Sequence, residues 1–165
     1  MDAAVLEVLG LVREQAWLAD RALEAVLRRE RRLYASERRA AAEALYGVVR
    51  WQGQLEWLLG RRPGLAELYA AWLARHGGVP AEGAERRMGL RRGALAGLAG
   101  ADGRIAAVAD RGERLAVEES LPAWLAGLLV AAGYASLTLY DLFALHTIGR
   151  SNVPYRIAAL ASFTS

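Results

Sequence analysis

Apolar residues recur at helical spacing along most of this chain, and the pattern predicts a succession of amphipathic helices. Val5, Leu6, Leu9 and Val12 share one face, which predicts a first helix over residues 3–17. Asp20 is placed to cap a second, residues 21–29, with Leu23, Val26 and Leu27 as its apolar stripe. Residues 30–35 read as a polar connection, and Ser36 is the expected N-cap of a third, longer helix. At about 100° per residue, Ala41, Ala44, Leu45, Val48 and Leu55 fall on the side that faces a core. The opposite side carries Arg39, Glu43, Tyr46, Arg50 and, if the helix continues through Gly53, Trp57. The RRPG turn at 61–64 precedes another apolar run, Leu65, Leu68, Tyr69, Trp72 and Leu73, which ends at His76, Gly77 and Gly78. His76 in that last turn suits the negative end of a helix and reads as a capping residue. Trp17, Trp57, Trp72 and Trp124 lie in apolar helical contexts, so core packing is expected of each.

The second half is less regular. Residues 79–98, VPAEGAERRMGLRRGALAGL, have the look of a helix-turn-helix with Gly89 in the turn. Arg86, Arg87, Arg91 and Arg92 would give it a positive patch. That motif normally takes a small residue four positions before the turn glycine, where its helices touch, and Glu85 stands there. Gly93, Gly97, Gly100 and Gly103 follow no strand, so they mark turns and not a dinucleotide-binding loop. Residues 120–140 carry no charge over a length that spans a bilayer. Pro122, Gly127, Gly133, Ser136 and Thr138 interrupt that run and no basic cluster adjoins it, so no membrane span is expected.

Composition narrows the class. The chain has 165 residues, 55% of them hydrophobic, which is enough for a sizeable core. Alanine, leucine, arginine and glutamate dominate and prolines number four, so an all-α fold is expected. The absence of cysteine excludes disulfides, thiolate metal sites and a cysteine nucleophile. The two histidines, His76 and His146, have no paired acids at ligand spacing, so no metal site is expected. Asp2 and Glu7 stand where an export signal would carry positive charge, and a cytoplasmic location is expected.

Charge changes the picture through its placement. Every base is arginine, and 21 of them against 18 acids give a net charge of +3. A chain without lysine and rich in Ala, Arg and Gly carries the mark of a compositional bias, so this balance alone does not identify a nucleic-acid partner. Residues 28–39, however, hold six arginines and two glutamates, a local charge of +4 that exceeds that of the whole chain. A basic face with an interleaved aromatic suits RNA, since arginine neutralises phosphate and a ring stacks on an unpaired base. A solvated helix face has the same look.

Two segments extend this reading. DRALEAVL at 20–27, followed by SERRAAAEALYGVVRWQGQLEWLL at 36–59, resembles the NusB-like helical domain at the N-terminus of the Fmu/Sun (RsmB-type) ribosomal RNA cytosine-C5 methyltransferases. RLAVEESLPAWLAGLL at 114–129 is similar to the S-x-P-x-W-L helix that follows the bundle there and leads toward the methyltransferase domain. The resemblance covers most of residues 3–129, with the middle diverged. It implies a NusB-like helical bundle over 1–129 that binds RNA, of ribosomal origin, beside a separate catalytic domain. Free-standing NusB proteins serve in transcription antitermination with a small ribosomal protein, so a ribosomal-protein partner or a homodimer is the related expectation.

The chain departs from the family in three places. The arginine-rich extreme N-terminus is replaced by MDAAVLEVL, and residues 130–165, a hydrophobic tail, do not match the family's continuation. The two cysteines of the family's catalytic domain and its glycine-rich S-adenosylmethionine site are also missing. The chain alone is therefore not expected to carry out that methylation or to bind a cofactor. An N-terminal fragment, or a protein whose catalytic half was lost, is expected. The expected RNA contacts are Arg28, Arg29, Arg31, Arg32, Arg38 and Arg39, with Tyr46 as a stacking ring and Arg50 as a further contact. Two other readings are a protein-interaction module using Leu137, Leu139, Leu142, Phe143 and Leu145, and a DNA-binding regulator using residues 79–98.

Overall fold

The computed structural model describes residues 1–147, the last three by their backbone alone. The protein is all-α: eight α-helices and one 3-10 turn, with no strand among the described residues. The helices are α1 (Asp2–Glu14), α2 (Ala19–Arg29), α3 (Ala35–Leu59), α4 (Leu65–Arg75), α5 (Ala81–Arg87), α6 (Ala101–Ala106), α7 (Arg111–Glu118) and α8 (Ala123–Thr147).

Helix α3 organises the molecule. Its expected core face, Ala41, Ala44, Leu45, Val48 and Leu55, is buried against α1, α2 and α4, and the helix does run through Gly53 to Leu59. Gly60 ends it in a left-handed conformation (φ 68°), which glycine adopts without a Cβ penalty. Its start differs from the expectation. The helix begins at Ala35, one residue before Ser36, and Glu37 accepts the Tyr34 backbone N–H at 2.9 Å. The three-residue reach of that glutamate takes the capping role away from Ser36. Helix α2 likewise starts at Ala19, so Asp20 is not its cap but lies in the first turn, where its carboxylate complements the helix dipole and accepts a hydrogen bond from Tyr46. Helix α1 stops at Glu14, short of the expected residue 17, and Trp17 is exposed.

Packing between α3 and α4 depends on a missing side chain. A Cβ at Gly47 would collide with the Trp72 indole, so glycine lets the two helices close on each other. Tyr69 of α4 is fully buried, and its hydroxyl donates to Asp2 at 3.1 Å. Arg87 of α5 grips the same carboxylate through two donors at 2.7 and 2.6 Å. Burial first, and then Asp2, push the Tyr69 phenol up to about 12. The Arg87 hydrogen bond holds Asp2 below its ordinary range against the opposing effect of burial. Arg13 ties the RRPG turn to α1, donating to Pro63 O at 2.7 Å and Glu56 at 2.9 Å.

Residues 79–98 do not form a helix-turn-helix. After α5 the chain runs through turns to a 3-10 segment at Ala96–Leu98, and no second helix carries Arg91 and Arg92. The reason is Glu85, which is buried and accepts the backbone N–H groups of Gly93 at 3.1 Å and Leu95 at 2.9 Å. Those two bonds curl the chain back over α5 and hold the carboxylate below its usual range. A buried carboxylate needs such partners, and here they come from backbone that a helix would have used for itself.

A second, smaller core gathers Leu58, Ala101, Ile105 and Val117, with Trp57 half-buried against it beneath the Arg104 guanidinium. Gly97 crosses the end of α3 so closely that a Cβ would lie 2.7 Å from Leu58 O. Helix α8 then continues without a break through 129–130, where the sequence places the boundary of an unrelated tail. It packs on α7, and Ala126 and Thr138 are buried, but Trp124, expected in the core, is 71% exposed. The remainder of the tail, residues 148–165, and the side chain of Leu145 lie outside the described residues.

Candidate nucleic-acid interface

The arginine cluster occupies the corner where α2 turns into α3, and its members divide into two groups. Arg28 pairs with Glu24 along α2, and Arg29 pairs with Glu7 of α1. Arg38 turns inward: its Nε donates to Leu33 O and its Nη2 to Glu30 O, each at 3.1 Å. It thereby satisfies two carbonyls of the connection and fixes the corner. Arg31, Arg32 and Arg39 are exposed and have no side-chain partner among the described residues. Six arginines here meet four carboxylates, two from the stretch itself and two from Glu24 and Glu7, so the local charge falls from +4 to +2.

Tyr46 and Arg50 also have partners within the fold. The Tyr46 hydroxyl donates to Asp20, bracing α3 on α2, while the residue as a whole remains 45% exposed. That hydrogen bond, first, raises the Tyr46 phenol. Arg50 donates to the Glu119 backbone oxygen, reaches its carboxylate at 3.4 Å, and stands 4.9 Å above the Trp51 ring. Arg31, Arg32, Arg39 and Tyr46 are thus exposed, whereas Arg28, Arg29, Arg38 and Arg50 each contact another part of the fold.

A group that the sequence pattern does not single out lies at the far end of α3. Trp51 stacks on His76 with ring centroids 4.5 Å apart and planes 15° off parallel. His76 does close α4, donating its backbone N–H to Trp72 O at 2.8 Å, but its imidazole serves this stack. Burial, with Arg75 as the lesser cause, lowers the His76 pKa, the reverse of a dipole-stabilised cation. The pair lines a cavity of about 480 Å³ together with Gln54, Arg75, Asp102, Arg114 and Glu118. Gln54 sits in the buried stripe of α3, where a polar residue is the available signal, and its amide caps α7 by donating to Val117 O at 3.2 Å and Glu118 O at 3.1 Å. Its backbone N–H donates to Ser120 Oγ at 3.2 Å, which anchors the start of the S-x-P stretch to α3.

Helix α8 presents a third surface. Residues Ala123–Ala144 are long and apolar enough to cross a membrane by length and composition, and 11% of the helix's most apolar window is buried. Leu128, Leu129, Leu137, Leu139 and Tyr140 are exposed. Near mid-helix, Arg111 of α7 donates to the Tyr134 hydroxyl at 3.3 Å and stands 5.5 Å from its ring.

No protein-family model, curated protein or solved structure matches the chain.

Proposed function

We propose that this chain is an RNA-binding helical module of the NusB-like type, related to the non-catalytic part of a ribosomal RNA cytosine-C5 methyltransferase. The observation that carries the reading is the α2–α3 corner: Arg31 and Arg32 on the turn that Arg38 holds in place, and Arg39 in the first turns of α3, are exposed and have no side-chain partner among the described residues. Such side chains are the readiest phosphate contacts, because an arginine with no carboxylate beside it meets an anion without giving up a pair. Chemistry on the cytosine ring belongs to another domain, since covalent activation of C5 needs a sulfur nucleophile and the chain has no cysteine. The test is fluorescence anisotropy of labelled single-stranded ribosomal RNA at several salt concentrations, beside the triple variant Arg31→Ala, Arg32→Ala, Arg39→Ala. Loss of three phosphate contacts reduces the slope of log affinity against log salt by about 2. Equal affinity and slope for both proteins would sink the reading.

The apolar surface of α8 favours a second role as a protein-docking module, in which a partner domain covers Leu128, Leu137 and Leu139. A membrane span is the less favourable use of this helix. While α7 stays packed on α8, insertion carries Arg111 to the bilayer centre beside Tyr134, at a cost of about 2.5–3.5 kcal/mol for that residue alone. Light scattering across a concentration series tests the docking role in its simplest form: the parent chain self-associates through this face and Leu137→Glu, Leu139→Glu does not.

A further inference from the structure

Among the described residues, two buried side-chain atoms have no hydrogen-bond partner, Gln54 Oε1 and Arg75 Nε. Both residues line the cavity beside the Trp51–His76 stack. Leaving a buried acceptor and a buried donor unmet is unfavourable, and native proteins rarely tolerate it without a reason. Gln54 cannot satisfy its oxygen by turning its amide over, because its nitrogen already holds the α7 carbonyls. Arg75 is fixed from the other side by Asp102, which takes both of its terminal nitrogens. The cavity wall thus holds one unmet acceptor and one unmet donor, both shielded from solvent, beside an aromatic plane.

The remaining lining residues define the charge an occupant should have. Arg75 and Arg114 face Asp102 and Glu118, so the cavity as a whole is neutral and does not select a free anion. Trp51 is half-buried, with Arg50 and His76 both packed on its ring, whereas His76 is only partly buried and is the ring an occupant would meet. A volume of about 480 Å³ falls within the range of small-molecule sites, about 300–1,000 Å³.

We propose that this cavity binds one unpaired nucleobase, stacked on His76 and hydrogen-bonded edge-on to Gln54 and Arg75. Nucleobases are neutral and planar, and each carries a donor next to an acceptor on one edge. An occupant meets the two unmet atoms only when their side chains shift, since neither atom is exposed to solvent, and Arg114, which has no side-chain partner among the described residues, lines the same cavity. Either a bound RNA or a free nucleoside supplies the base; the first source rests on the RNA-binding reading above, the second does not.

Two probes separate these cases: a short uridine-rich RNA with a single 2-aminopurine, and 2-aminopurine riboside alone. The parent chain should quench the fluorescence of the RNA probe. His76→Ala should weaken its binding roughly five- to a hundredfold, the range for loss of one stacking partner, and His76→Phe should restore it. Circular dichroism melting checks that all three proteins fold. Quenching of the riboside without RNA binding would support the cavity and remove the RNA reading. RNA binding seen by anisotropy, with no quenching of either probe and no effect of His76→Ala, would overturn the cavity and keep the RNA reading. No response of either probe by either method would overturn both.

Discussion

Helices α3 and α8 are each 25 residues long, and both are rich in alanine and leucine, yet the fold treats them oppositely. Helix α3 segregates its residues, with Ala41, Leu45, Val48 and Leu55 buried and Arg39, Glu43 and Arg50 in solvent. Helix α8 has apolar residues on every side, of which Ala126 is fully buried while Leu139 is 67% exposed. A helix packed by one stripe gains stability from its neighbours, whereas one that is apolar all round needs a second surface to cover it. The contrast teaches that apolar content does not identify a core; segregation does.

The most forceful way to break the contrast is to shorten one buried leucine and one exposed one. Leu45→Ala should cost about 2–5 kcal/mol in urea unfolding, and Leu139→Ala less than about 0.5 kcal/mol. Comparable losses would mean that α8 is packed as tightly as α3 in solution. Glycine substitutions sharpen the comparison further. Gly47→Ala should destabilise by about 1–3 kcal/mol, because its new methyl meets the Trp72 ring. Gly133→Ala, with nothing within 4 Å of the added carbon, should stabilise α8 by about 0.5–1 kcal/mol. Opposite shifts in thermal midpoint are the expected result.

A smaller effect concerns the pin between α1, α4 and α5. Asp2 is held below its ordinary value of 3.8, so its contribution is complete above that pH and is lost as pH falls through the lower folded value. Asp2→Asn should remove about 1 kcal/mol at neutral pH after solvent screening, and should flatten the acid limb of the stability curve. A parallel shift of that limb would place the acid sensitivity elsewhere. The smallest change in stability is expected of Leu128→Gln on α8, within about 0.5 kcal/mol, although its retention on a hydrophobic-interaction column should fall measurably.

Periodicity made the first four helices legible, together with five buried residues of α3, because a single stripe repeated at helical spacing has one reading. Helix starts were read less well. Ser36 and Asp20 each have the chemistry of a cap, but Glu37 and the Tyr46 hydroxyl, contacts made across turns or between helices, assigned them other positions. The helix-turn-helix reading failed at Glu85, whose signal was present as a charged residue in a place for a small one. At the candidate site, the sequence located all six arginines of the corner, but it could not separate Arg31, Arg32 and Arg39 from Arg28, Arg29 and Arg38. Their partners lie four to 22 residues away, and a spacing rule sees at most the nearest of them.

By itself, then, the sequence determined the all-α class, the amphipathic face of α3, the concentration of arginine at one turn and the absence of any cysteine chemistry. These follow from residue type and local spacing, which act within a few residues. Only the tertiary structure decided which arginines have no partner among the described residues, that Leu128, Leu137 and Leu139 of α8 are exposed, and that Trp51, Gln54, Arg75 and His76 meet around one cavity. Each of these depends on which side chains from distant helices arrive within hydrogen-bonding or van der Waals range, and packing in three dimensions sets that distance.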